Sequence, residues 1–266
     1  MSMHCLFSRS RIHLFDLHTT MKFTIPTPFF RAVAALLLLA SLTACSAPKL
    51  NEQQAASIKT VGVISLMPQE LKYRKIGITV FGNSSKVLPV EGDVLNAHAR
   101  SVAQNYLNKT GRYAVKQIQI SDVNGMASRL NARTMVMTHS IERIDAEVVE
   151  LAKANHVDAV VLIAENFDGE NRIYGVSVTQ FPSLGEANPG AARAGLQVAG
   201  LTVGNEIFMS SYANPGPGTV VARPGGKPWT DKLEDNLDEG THQNAIKAML
   251  PEMTRMIESA MKNAGL

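Results

Sequence analysis

Cys45 stands where the chain most plainly offers chemistry. It closes the tetrad Leu42-Thr43-Ala44-Cys45, directly after a mostly apolar stretch over residues 32–42. Lys22 and Arg31 lie before that stretch. An apolar run of this length is too short to cross a bilayer, which takes ~20 residues, and matches the apolar core of an export signal. A thiol is a nucleophile that accepts an acyl or alkyl group, and Thr43 and Ala44 are small enough to enter a narrow peptidase cleft. Cys5 lies upstream of the tetrad, so no second thiol follows Cys45. The folded part therefore carries no disulfide and no thiolate ligand.

Other reactive pairings are weaker. Lys109-Thr110-Gly111, Ser121-Asp122 and Ser259-x-x-Lys262 share residue types with penicillin-recognising enzymes. Their order along the chain is reversed, and Lys109 to Gly111 reads better as the stop of a helix. His139-x-x-Glu142 places two metal ligands on one helical face without an obvious third, so His98, His139, His156 and His242 are expected to be solvated surface residues. Met249, Met253 and Met256 recur at helical spacing. Thioethers suit Cu(I), but an apolar helix face packed on a sheet explains the same spacing. No G-x-S-x-G occurs, and Gly225-Gly226-Lys227 runs into Pro228 where a phosphate loop needs Ser or Thr. The expectation is a protein that is not an enzyme, with no catalytic residues, no metal site and no cofactor.

The tetrad at Cys45 resembles the lipobox of bacterial lipoproteins. That resemblance implies cleavage between Ala44 and Cys45, acylation of Cys45 with palmitate-type chains, and anchorage to a lipid bilayer. Residues 21–44 then form the signal peptide, with Met21 as the expected initiator and residues 1–20 as an extension. Ser46 stands where Asp would retain such a protein at the inner membrane, so the periplasmic face of the outer membrane is the expected location. The alternative reading is a lipid-anchored periplasmic hydrolase or metal-binding protein whose motif is not legible.

Removing residues 1–44 takes away Arg9, Arg11, Lys22, Arg31 and Asp16. The whole-chain 26 basic and 23 acidic residues then become equal in number, and the net charge of +3 vanishes. A neutral chain excludes nucleic acid as a partner and leaves no basic stripe for anionic lipid. The expected partners are the bilayer, through Cys45, and another envelope protein.

Residues 45–57 read as a polar tether, and order is expected from Ile58 to the end as a single α/β (α+β) domain with a mixed sheet and packed helices. Residues 61–67 and 75–81 are β-branched and apolar, and read as strands. Asp93 can cap a helix with Leu95, Ala99, Val102 and Tyr106 on one face; Gly111 stops it, and 113–120 alternates as a strand. A helix from Ser140 or Asp145 carries Ile144, Val148, Leu151 and Ala152, and leads to the continuous apolar run 157–164, a central strand. Residues 172–181 read as a strand, and 196–203 with 207–212 as a hairpin about Gly204-Asn205. Residues 182–195 and 213–228 read as long loops, and 241–263 as a helix bent or restarted at Pro251.

The segments 99–115 and 151–161 each join a helix to a strand through a short turn, the second at Val157-Asp158-Ala159. These joints resemble the α/β fold of the amino-terminal domain of TolB and of the curli-secretion lipoproteins, and lipoproteins that activate peptidoglycan synthases look similar. The resemblance spans about residues 58–165 and carries no catalytic residues over. With no metal cluster and no nucleophile legible, the expected function is that of an envelope lipoprotein acting as a non-enzymatic protein-binding or assembly module. The paired amphipathic hairpins of the curli-secretion pore have no counterpart here, so no channel is implied. The partner contact is expected on the loop 213–228, with Trp229 as an aromatic anchor held by Pro224 and Pro228; the opposing expectation puts Trp229 in the core.

If Cys45 is the acylated residue, Cys45→Ala abolishes metabolic palmitate labelling and leaves the precursor uncleaved. Label of wild-type intensity on that variant contradicts the assignment.

Overall fold

The computed structural model describes residues 52–131, 140–166, 175–181, 188–213 and 217–263, all within the compact unit 47–266. The expected signal peptide 21–44, Cys45 and the expected tether to 51 lie outside the described residues. A short helix, α1 (Glu52–Ser57), already falls in the expected tether, and Ile58 is the first buried residue after it.

β1 (Thr60–Leu66) is buried along almost its whole length because its two faces meet two different apolar layers. Val61 and Val63 face one layer, Ile64 and Leu66 the other. β5 (Ala159–Glu165) repeats the pattern, with Ala159, Val161 and Ile163 on the first side and Val160, Leu162 and Ala164 on the second. A strand covered on both faces reads as an uninterrupted apolar run, which is why residues 157–164 were legible.

Two five-stranded sheets result. The first has the order β4-β1-β5-β8-β9, with β4 (Ala114–Gln117) and β5 parallel to β1, β8 (Leu196–Thr202) antiparallel to β5, and β9 (Ile207–Ala213) antiparallel to β8. The second has the order β3-β2-β6-β7-β10, built from β2 (Glu70–Lys75), β3 (Ser84–Pro89), β6 (Val176–Gln180), β7 (Ala191–Ala194) and β10 (Thr219–Val220). The orders match strand for strand. β1 continues as β2 after Met67-Pro68-Gln69, β7 continues as β8 across Gly195, β5 leads to β6, and β9 leads to β10. The expected single sheet is thus two, and among the described residues the chain passes directly from one to the other at residues 67–69 and at Gly195.

Helix α2 (Val94–Lys109) and the terminal helix α5 (Glu239–Asn263) supply the first layer. Leu95, Ala99, Ala103 and Leu107 from α2 meet Met249, Met253, Met256 and Ile257 from α5, together with Leu71, Tyr73, Val176 and Val178 of the second sheet. Helices α3 (Val123–Asn131) and α4 (Asp145–Ala154), joined to a 3-10 turn at Ser140–Arg143, supply the second layer through Met126, Leu130, Ile144 and Val148. The α/β class with helices on a mixed sheet is what the patterning predicts. α5 runs unbroken through Pro251 rather than restarting there.

Several expectations are corrected. Residues 75–81 are not a strand: β2 ends at Lys75, and a turn with a 3-10 segment at Val80–Gly82 leads into β3. Gly77 and Gly82 pack so closely that a Cβ on Gly77 would lie 2.5 Å from the Gly82 Cα, and the Gly77 N–H donates to Asn83 Oδ1 at 2.8 Å. Asp93 does not cap α2 through its side chain; it accepts a 2.6 Å bond from Arg100 Nη2 instead. The strand expected over 113–120 shortens to β4. Each expected loop contains a strand, β7 in 182–195 and β10 in 213–228, although residues 182–187 and 214–216 lie outside the described residues. Ala191-Ala-Arg-Ala has poor intrinsic β-preference; pairing with β6 sets its conformation.

Val161 is buried between β1 and β8, opposite Val63 and Gly200. Val161→Asp places an unpaired charge there at a cost of several kcal/mol, on the order of a domain's whole stability. The variant is expected to lose its cooperative thermal transition by circular dichroism; melting near the wild-type temperature would contradict the strand's position.

Candidate functional site

Where β4, β1 and β5 end, the parallel half of the first sheet opens into two adjoining hollows of about 360 and 380 Å³. Crevices beyond the carboxyl ends of parallel strands are where open α/β sheets place ligands, because the diverging connections leave a gap there. The chain path makes this gap. β1 turns away at Pro68 and β5 leaves towards β6, while Gln119 to Asn124 lead from β4 into α3. Gln69 and Asn124 border both hollows.

Several charges around the cleft are held by neighbours. Arg100 is buried and holds Asp93. Asp122 Oδ1 accepts from the Gly125 N–H at 2.8 Å, capping α3, and its other oxygen lies 3.7 Å from Arg129 Nη1. Arg129 also forks onto Glu147 at 2.8 and 2.7 Å. Glu165, the last residue of β5, is half-buried and accepts a 2.7 Å bond from the Val176 N–H. Burial raises its carboxyl to about 7, with nearby Glu70 adding to the rise and the Val176 bond and Lys72 opposing it. Near neutrality this group exists in both forms, donating a hydrogen bond when protonated and accepting one when ionised. Gln69, Gln119 and Asn124 add amide donors and acceptors. The arrangement suits hydrogen bonding to a polar ligand.

Trp229 does not lie on the surface. It is 7 % exposed, its Nε1–H donates to the Val221 carbonyl at 2.9 Å, and its ring lies so close to Gly190 that a Cβ there would meet it at 2.4 Å. The anchor expectation is corrected to the core one, because a buried indole presents no face to a partner. Pro224 is half-buried beside Gly240. Pro228 is exposed, and its carbonyl accepts from Arg223 Nη1 at 2.7 Å. Arg223 also reaches the Asp235 carbonyl and Asp238, so the described part of this loop is stapled to the domain. Ala44 and Cys45 lie outside the described residues.

His242 is buried, contrary to the expected solvated histidine. Its Nε2 lies 2.9 Å from the Pro89 carbonyl, which can only accept, so Nε2 carries the proton. Nδ1 therefore accepts from the Tyr73 hydroxyl at 2.7 Å, a hydroxyl whose pKa burial pushes up. His98 is half-buried, with Nε2 2.9 Å from both the Leu250 carbonyl and Thr254 Oγ1. His156 is exposed at φ 51°, and His139 lies outside the described residues. Among the described residues no three His, Cys, Asp or Glu side chains gather as a cation site. Met249, Met253 and Met256 are core residues. Gly111, at φ 65°, follows the end of α2.

Sequence reading missed the cleft, since Gln69, Asn124 and Glu165 share no motif. The signal was Glu165 itself, an acid ending a buried apolar strand.

No protein-family model matches the chain, and no curated protein does. Among solved structures, the PelC dodecamer from Paraburkholderia phytofirmans is similar at 13% identity and a TM-score of 0.28, covering 80% of this chain and 94% of that one. Hypothetical protein CT253 from Chlamydia trachomatis is similar at 13% identity and a TM-score of 0.25, over 76% of this chain and 99% of that one.

Glu165 is easier to hold neutral than charged, so its contribution to stability is fully present below the unfolded pKa near 4.5. It is lost as pH rises towards the folded value of about 7. Glu165→Gln is expected to raise the melting temperature at pH 8, by up to about 3 kcal/mol of stability, with little change at pH 4. An equal shift at both pH values contradicts the assignment.

Proposed function

We propose that this chain is an envelope lipoprotein, anchored through acylated Cys45, whose folded domain is a non-enzymatic binding or assembly module for another envelope protein. The observation that carries the reading is the cleft beyond β1, β4 and β5. Its bordering amides, Gln69, Gln119 and Asn124, can pair with a polypeptide's N–H and C=O groups. Two of its acids are held within the domain, Asp93 by Arg100 and Asp122 by α3 and Arg129. A tether of a few residues between Cys45 and α1 suits a domain working close to its membrane. The expected setting is the periplasmic face of the outer membrane.

A photo-crosslinking residue at Gln69 or Asn124 in intact cells is expected to give a discrete adduct with one envelope protein. Pro228, on the exposed part of the loop 213–228, serves as the comparison. Adducts at Pro228 alone would move the contact to that loop, and none at any position would contradict the module reading.

A further inference from the structure

The hairpin of β2 and β3 presents apolar side chains outward. Phe81 is 96 % exposed and Ile78 69 % exposed, on a turn closed by the contact of Gly77 with Gly82. Phe181 is also partly exposed at this end of the second sheet: the Ile76 N–H donates to the Gln180 carbonyl at 2.9 Å, which sets Phe181 beside the start of the turn. Val87 on β3 adds another exposed apolar residue. Scattered exposed apolar residues are ordinary, but a concentration on one protrusion marks a contact.

Charge along the same segment is one-sided. The hairpin contains Lys72, Arg74, Lys75 and Lys86 against one acid, Glu70, which pairs with Pro89 at the end away from the turn, in a chain whose part after Ala44 has no net charge. Asp231 faces Lys75, with its carbonyl 2.6 Å from Nζ and its carboxylate 3.4 Å away. Lys86 is exposed on the edge strand. The neutral total conceals this local grouping.

We propose that the β2–β3 hairpin is a membrane contact: Ile78 and Phe81 enter the interface of a bilayer whose anionic headgroups meet the cations flanking the turn. A narrow protrusion with an aromatic at its point and cations behind it fits a soft, negatively charged surface. Apolar side chains lie at the acyl boundary while Lys and Arg stay among the headgroups. The proposal rests on the anchored reading only for the proximity that Cys45 provides, and the label on Cys45 is read separately.

Phe81→Trp in the full chain gives a reporter at the tip, since the natural Trp229 is buried and supplies a constant background. Mixed with phosphatidylcholine vesicles containing phosphatidylglycerol, the introduced indole is expected to shift its emission to the blue and to be quenched by brominated acyl chains. The response should weaken several-fold on pure phosphatidylcholine or in high salt, which shortens the screening length. An unchanged thermal transition verifies the fold. Emission that stays at its water-exposed position on both vesicle types overturns the proposal. So does a shift that needs an added envelope protein, which would make the tip a protein contact, and an equal response on both lipids overturns the role of the cations.

Discussion

Burial of β1 and β5 on both faces is the constraint from which the rest of the structure follows. A fully buried Val, Leu or Ile contributes on the order of 1.5–3 kcal/mol, and these two strands carry Val61, Val63, Ile64, Leu66, Val160, Val161, Leu162 and Ile163. Neither strand can face water, so helices must cover both sides: α2 and α5 on one, α3 and α4 on the other. Asp158 fixes the register of the pair. Its Oδ2 accepts from the Lys59 and Thr60 N–H groups and from the Thr60 hydroxyl at 2.8–2.9 Å, and these bonds hold its carboxyl below the usual range.

Beyond the end of the first sheet the chain of β1 carries directly into the second. β1 bends through Met67-Pro68-Gln69 into β2, and β5 leads on to β6, so the second sheet inherits its order from the first. Proline suits such a bend because it has no N–H to leave unpaired. The exposed donors and acceptors at the bend are met locally. Asn96 reads both the N–H and the carbonyl of Met67 at 2.8 and 3.0 Å, and the Val90 N–H donates to the Gln69 carbonyl. The cleft is the geometric residue of this bend, and Glu165 is the carboxylate it leaves half-buried.

The parts legible in the sequence are those where one local pattern coincides with burial. Residues 159–164 are apolar throughout and make up β5 up to its final Glu165; α2 shows its helical stripe and its Gly111 stop; Gly204-Asn205 closes the β8–β9 hairpin, with Asn205 at φ 63°. The rest depended on distant partners. Residues 76–81 are as apolar as a core strand, yet Gly77 and Gly82 turn the chain and leave Phe81 in water. Trp229 carries no mark of burial in its own segment; its place is set by Gly190 and Val221. β7 has almost no strand character and is read only through β6. Of the cleft, nothing but the acidic end of β5 was visible, because its residues come from four separate segments.

The direct passage of the chain from β1 to β2 and from β7 to β8, with one apolar layer covering both sheets, implies that the described domain opens as one cooperative unit, and native-state hydrogen exchange tests that claim most directly. Subglobal opening gives each cooperative segment its own free energy. The account predicts that ladder amides of β2 and β6 in the second sheet exchange only through the same global opening as those of β1 and β5 in the first. Exchange of the β2 and β6 amides at a distinctly lower free energy, while β1 and β5 stay protected, would show that the two sheets come apart independently and would contradict it.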